Sequence, residues 1–141
     1  MILLLDDEKE YIENVLDELG SLGLQVHFLS NVDDALKYIH DNLTIIQAIV
    51  CDVMMPHGQA FAASVTEDNR ITGLRFAERI RESGVKLPII FLTNLEPDRA
   101  PIEQVSEACA PCTIIRKREK WSFEIAESIR DLVVKEPNAR G

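Results

Sequence analysis

Residues 48–56, AIVCDVMMP, decide how this chain is read. Four apolar residues, Ala48-Ile49-Val50-Cys51, run without alternation and stop at an acid, Asp52. An uninterrupted apolar run closed by a turn signal is the pattern of a strand buried on both faces of a parallel sheet. In open parallel α/β sheets the ligand site lies beyond the carboxyl ends of the strands. Asp52 is therefore expected at the mouth of the sheet, with Pro56 turning the chain away. An acid there equally serves as an ordinary cap of the next element. Its meaning depends on what ends the other strands.

The first strand is expected at 2–5, ILLL. Asp7-Glu-Lys-Glu10 has capping-box spacing. Tyr11, Ile12, Val15, Leu16 and Leu19 follow at helical spacing, with Gly20 as the stop. Residues 24–28, LQVHF, alternate like a half-exposed edge strand with His27 on the solvated side. Ser30-Asn-Val-Asp33 reads as a second cap, before a stripe of Val32, Ala35, Leu36 and Ile39. A third helix over 71–82 carries Leu74, Ala77 and Ile80. Residues 89–92, IIFL, form another buried strand that stops at Thr93-Asn94, and Pro101 suits the first turn of a short helix. The fifth strand, 113–115, runs into Arg116-Lys117-Arg118. Trp121, Ile125, Ile129, Leu132 and Val133 mark a last amphipathic helix.

Five β–α units in succession imply a parallel sheet with right-handed crossovers and helices on both faces. The expected fold is α/β, a flavodoxin-like doubly wound (βα)5 sandwich with strand order 2-1-3-4-5. One domain is expected over 1–136, with a frayed tail at 137–141. The segment 57–70, HGQAFAASVTEDNR, is far longer than the roughly 2–6 residues usual for such a connection. Phe61 and Val65 are apolar enough to pack locally.

The 141 residues suffice for one well-cored domain. A net charge of -9 disfavours direct binding of nucleic acid, whose phosphates call for a basic face. No apolar run reaches membrane-spanning length, and MILLL is cut short by Asp6-Asp7-Glu8, so it is no signal peptide. The three cysteines are expected as reduced thiols in the cytoplasm. Cys109-Ala-Pro-Cys112 has redox-motif spacing, but it follows a helix rather than opening one, so no helix N-terminus is expected to activate a thiol.

The strand ends converge. Strand one ends in Asp6-Asp7, strand three in Asp52, strand four in Thr93 and strand five in Lys117. Carboxylates sharing one pocket repel by about 4 kcal/mol per pair at 4 Å and an effective dielectric near 20. Mg²⁺ takes oxygen ligands and is typically held by one or two carboxylates plus phosphate oxygens. Three acids against one divalent ion and one lysine give a workable charge sum. Asp52 is then a carboxylate nucleophile able to form an acyl phosphate, where positioning and electrostatics do most of the catalysis.

With these residues in place, the chain resembles the receiver domains of two-component response regulators. The resemblance rests on ILLLDDE (2–8), CDVMMP (51–56), PIIFLTN (88–94) and IIRK (114–117). It implies that Asp52 is the phosphoacceptor, that Asp7 ligates Mg²⁺ directly, that Asp6 acts on the metal largely through water, and that the Met54 carbonyl completes the protein ligands. It further implies that Thr93 hydrogen-bonds a phosphoryl oxygen and that Lys117 pairs with the phosphoryl group. The chain departs from the family pattern at Arg118, where proline is usual, and at Asn94, where a small residue is usual. It departs again at Ile114, which replaces an aromatic switch, and in the long 57–70 segment.

The resemblance implies a phosphoacceptor rather than an enzyme in the ordinary sense. A sensor histidine kinase or histidine phosphotransfer protein would donate to Asp52, and a downstream effector protein would read the result. No effector domain is expected to follow, so output is expected through another chain, with a homodimer left open. The competing expectation is a receiver-like binding or adaptor module that keeps the fold without phosphotransfer. A flavin or dinucleotide carrier fits poorly, because Asp6-Asp7-Glu8 occupies the loop where a phosphate would need glycines or hydroxyls.

Overall fold

A computed structural model of the chain describes residues 1–94 and 102–135. The strands are β1 (Ile2–Leu5), β2 (Val26–Leu29), β3 (Ala48–Cys51), β4 (Ile89–Thr93) and β5 (Cys112–Arg116). The helices are α1 (Lys9–Ser21), α2 (Val32–Asn42), α3 (Thr72–Glu82), α4 (Ile102–Ala108) and α5 (Ser122–Lys135). All strand pairings are parallel, and the five-stranded sheet has the order β2-β1-β3-β4-β5. This is the doubly wound, flavodoxin-like architecture expected from the apolar runs. No helix of the described residues is long and apolar enough to cross a membrane.

Successive strand residues point to opposite faces, and each face carries its own core. Leu3 and Leu5 of β1, Ile49 and Cys51 of β3, and Ile89 and Phe91 of β4 pack with α2, α3 and α4. Ile2, Leu4, Ala48, Val50, Ile90 and Leu92 pack under α1 and α5. The uninterrupted apolar runs of β1, β3 and β4 are thus explained by burial on both sides. β2 lies at the sheet edge and all four of its residues are half-buried.

Several local expectations are corrected. The capping box at Asp7 does not form. Instead α1 starts from Glu8 without a side-chain cap, and the Glu8 N–H donates to Asp6 Oδ1 at 2.9 Å. Gly20 does not stop α1, which runs to Ser21. Gly23, at φ +79°, takes the left-handed position, and the N–H groups of Leu24 and Gly23 close back on the Leu19 and Gly20 carbonyls. The edge strand begins at Val26 rather than Leu24. His27 is half-buried and stacks on Tyr38, with ring centroids 4.1 Å apart. In the second cap Asn31 does the work, its side chain accepting from the Asp34 N–H at 2.8 Å.

Trp121 leaves the apolar stripe of the last helix. It sits just before α5, 73% exposed, and its backbone N–H donates to Glu124 Oε1 at 3.0 Å. Ile125, Ala126, Ile129 and Val133 form the buried face. The Pro101 helix start, the 137–141 tail and the Tyr11 side chain lie outside the described residues.

The 57–70 segment has no helix or strand, yet it is tied down at both ends. Asp33 of α2 accepts from the N–H groups of Gln59 (2.9 Å) and Ala60 (2.8 Å). Gly58 makes this approach possible: it has φ +62°, and a Cβ there would lie 2.6 Å from Asp33 Oδ2. Arg79 of α3 donates to the Ala60 carbonyl and covers the Phe61 ring. Phe61 packs against the core as expected, whereas Val65 is exposed.

Candidate functional site

The carboxyl ends of β1 and β3 are brought side by side by their register. Leu5 pairs with Cys51, and the Asp52 N–H donates to the Leu5 carbonyl at 3.0 Å. The next residues on each strand, Asp6 and Asp52, therefore meet across the rim. Asp6 is buried at 1% exposure and Asp52 at 7%, while Asp7 stands on the exposed edge beside them. One carboxylate oxygen from each of Asp6, Asp7 and Asp52 lies within 4.8 Å of the others.

Lys117 arrives from the far edge of the sheet. β5 ends at Arg116, and Lys117 opens a short 3-10 turn, Lys117–Glu119, that buries its side chain. Its ammonium lies 2.9 Å from Asp6 Oδ2 and 3.3 Å from Asp52 Oδ2. Asp52 Oδ1 accepts from the Val53 N–H at 2.8 Å. The two oxygens of Asp52 are thus distinguished, one held by backbone and the other facing the cation.

Burial pushes the Asp52 carboxyl up to about 7; the Lys117 charge opposes this and the Asp6 charge adds to it. Asp7 is also raised, by the burial it has and then by Asp6. Burial works to lower the Lys117 ammonium, but the charges and hydrogen bonds of Asp52 and Asp6 outweigh it and the net direction is upward. Three acids against one lysine leave a surplus of negative charge. All three acids are hard oxygen donors, the set that a cation of the Mg²⁺ type prefers. The residues present fit such an ion.

Of the residues singled out from sequence, Asp6, Asp7, Asp52 and Lys117 come together in one cluster. Thr93 is fully buried at the end of β4, where it pairs with Arg116, the residue before Lys117. Met54 is 48% exposed and lines an open cleft of about 480 Å³ together with Asp7, Met55, Pro56 and Asn69. Asn94 is half-buried beside Thr93, and among the described residues its Oδ1 has no hydrogen-bond partner. Cys109 and Cys112 flank the turn between α4 and β5, and burial raises both thiols, Cys112 to about 11. That is the opposite of an activated redox pair.

Residues not singled out also shape the site. Gly73 in the first turn of α3 packs on the phosphoacceptor candidate's own backbone: a Cβ there would sit 2.0 Å from the Asp52 carbonyl oxygen. The Gly73 N–H donates to the Val53 carbonyl at 2.8 Å. A glycine placed where a helix is weakened by it was the available signal of such a close approach.

A family model described as "Response regulator receiver domain" matches residues 2–118. The chain is similar to the transcriptional regulatory protein DltR of Streptococcus agalactiae, 32% identical over 92 residues, covering 65% of this chain and 34% of DltR. It is also similar to the sensor histidine kinase RcsC of Escherichia coli, 33% identical over 93 residues, covering 66% of this chain and 8% of RcsC. The chain thus spans about a third of one curated relative and under a tenth of the other. Among solved structures, the response regulator protein TrrA of Thermotoga maritima, in complex with Mg²⁺-BeF, superposes with a TM-score of 0.68 at 26% identity. That match covers 93% of this chain and 96% of TrrA.

Proposed function

The chain belongs to the response regulator receiver domain family, and on that premise we propose that it is a phosphoacceptor switch in which Asp52 takes the phosphoryl group. The observation that carries this reading is Lys117 bridging Asp6 and Asp52 while Asp7 stands within reach of both acids. With Oδ1 engaged by the Val53 N–H, Oδ2 is the oxygen proposed to attack. It forms a P–O bond as the donor's P–N bond to a histidine imidazole breaks, and the imidazole leaves with its electron pair. Lys117 pairs with the arriving phosphoryl oxygens, and the Thr93 hydroxyl donates to one of them.

Asp7, Asp52 and the Met54 carbonyl would hold Mg²⁺, with Asp6 acting on it through water. When bound, the ion supplies positive charge against the surplus of carboxylates and the phosphoryl oxygens. TrrA, similar over nearly its whole length, was solved with Mg²⁺ and a beryllofluoride group, which supports this assignment. The phosphoryl group adds roughly 1.5–2 negative charges. Lys117 and Thr93 are drawn toward it, and the ends of β4 and β5 move with them, altering affinity for an effector protein. The donor is a histidine kinase or a histidine phosphotransfer protein.

Labelling with acetyl [³²P]phosphate in Mg²⁺ tests the reading. Wild type is expected to label, and Asp52→Ala and EDTA-treated wild type are not. Equal labelling of Asp52→Ala would move the acceptor elsewhere. No labelling of folded wild type, by acetyl phosphate or by beryllofluoride, would favour a binding module that has kept only the fold.

A further inference from the structure

The end of the 57–70 segment is held in an uncommon backbone state. Glu67, Asp68 and Asn69 have φ of 51°, 55° and 74°, left-handed values that non-glycine residues rarely adopt in succession. A run of this kind persists only where its surroundings over-determine it. Here they do. Thr66 is fully buried, and its hydroxyl accepts from the Asn69 N–H at 3.3 Å. The Ile71 N–H donates to the Thr66 carbonyl at 3.0 Å, and the Asp68 N–H to the Ala63 carbonyl at 2.9 Å.

The left-handed run presents Asn69 to the residues that follow Asp52. Its carbonyl accepts from the Met55 N–H at 3.1 Å, and its side-chain Oδ1 accepts from the His57 N–H at 2.8 Å. The Thr72 hydroxyl donates to the Met55 carbonyl, and the Gly73 N–H holds the Val53 carbonyl. Residues 53, 55 and 57 are therefore each pinned, and Met54 is the residue they bracket. Among the described residues no hydrogen bond engages the Met54 carbonyl. Asn69 also lines the same cleft as Asp7 and Met54.

We propose that Asn69 is a positioning residue for the metal site: the 57–70 segment is a brace, and Asn69, left-handed and bonded at two points, fixes the Met54 peptide in the conformation that offers its carbonyl to the ion. This rests on the phosphoacceptor reading for the identity of the ion. The brace itself does not. Strand-to-helix connections are usually about 2–6 residues long, and the extra length of this segment lets it return to the 55–57 backbone from outside. Asn is suited to both demands, since it tolerates the left-handed region and carries an acceptor.

The test pairs Mg²⁺ titration calorimetry with amide hydrogen exchange at Met55 and His57, on the full chain. Asn69→Ala loses the Oδ1 bond and disfavours the left-handed backbone. Asn69→Gly keeps the backbone and loses only the Oδ1 bond. Asn69→Asp keeps the acceptor and the backbone. Outer-shell partners of metal sites typically change affinity by 10–100-fold. Asn69→Ala is expected to bind Mg²⁺ about tenfold more weakly and Asn69→Gly less weakly than that, with faster exchange at His57 in both. Asn69→Asp is expected to bind no more weakly than wild type. Should Asn69→Ala fail to fold, Asn69→Gly decides. Unchanged Mg²⁺ affinity and unchanged His57 exchange in Asn69→Gly would overturn the proposal. A wild type that binds no Mg²⁺ yet shows the exchange differences would instead overturn the phosphoacceptor reading and leave the brace standing without a metal to position for.

Discussion

The Lys117 ammonium is closer to Asp6, the acid that follows β1, than to Asp52, the candidate phosphoacceptor: 2.9 Å against 3.3 Å. All three groups are nine-tenths buried or more. Removing one partner of a buried ion pair typically costs about 3–5 kcal/mol, because the remaining charge is stranded. Lys117→Met is therefore expected to lose stability of that order at pH 8 in EDTA, measured by urea unfolding. The loss should be smaller at pH 5, where Asp52 can take up a proton. An equal loss at both pH values would mean that packing of the lysine stem, not charge, is what the variant removes.

Asp52 makes the folded chain sensitive to pH in a definite direction. Its carboxyl titrates near 7 in the folded protein, against an ordinary value of 3.8. The folded state then binds the proton more tightly than the unfolded state, so the stabilisation is complete below about 4 and is lost as pH rises through about 7. The full span corresponds to about 4 kcal/mol at about 1.36 kcal/mol per pH unit. Asp52→Asn removes this titration. In EDTA, the melting temperature of wild type is expected to fall relative to Asp52→Asn between pH 5 and pH 8, and Mg²⁺ should narrow the gap at pH 8. Parallel pH profiles for the two proteins would rule out Asp52 as the titrating group.

The sheet and the acid cluster were readable in the sequence for one physical reason. A strand buried on both faces must be apolar throughout, and parallel strands must end on one rim. Asp6, Asp52 and Lys117 could be assigned to that rim from the ends of 2–5, 48–51 and 113–115 alone. What escaped were features decided by tertiary contacts. Gly20 and Gly23 are equivalent as local stop signals; the choice falls on Gly23 because Leu24 then closes back on Leu19. Trp121 has the right spacing for the apolar stripe of α5, but it lies at the helix entry and points away from the core. Asn69, Gly73 and Asp33 act through backbone groups far away in the chain, and such partners leave no periodic trace.

Asp33 illustrates that last class. By position it belongs to the first turn of α2, where an acid favours the helix dipole. Its two oxygens are instead committed to the Gln59 and Ala60 N–H groups. Asp33→Ala leaves both donors without their acceptor while α2 keeps its Asn31 cap. Charge-assisted bonds of this kind contribute about 1.5–3 kcal/mol each when buried and less where solvent reaches them; one is exposed and one half-buried. A loss of about 1–2 kcal/mol is expected, with amide exchange accelerating at residues 59 and 60 and not in α2. Acceleration throughout α2 would mean that Asp33 serves the helix after all.

Gly73 offers the sharpest test of how closely α3 supports the candidate phosphoacceptor segment. Ordinary contacts to a Cβ begin near 3.4 Å, whereas a Cβ on Gly73 would lie 2.0 Å from the Asp52 carbonyl oxygen and 2.7 Å from the Val53 Cα. Both obstacles are backbone, so no rotamer change relieves them. Gly73→Ala must push α3 away from the end of β3, stretching the Gly73 N–H bond to the Val53 carbonyl. Overpacking of this kind costs about 1–3 kcal/mol, occasionally more. Helix propensity would act the other way, since alanine is better than glycine in a helix by about 1 kcal/mol. The steric term is expected to win because it meets backbone that belongs to the sheet. Gly73→Ala should therefore lower the unfolding midpoint in urea and weaken Mg²⁺ binding together. A more stable variant with unchanged Mg²⁺ affinity would show that α3 is free to shift and that Asp52 does not depend on its close approach.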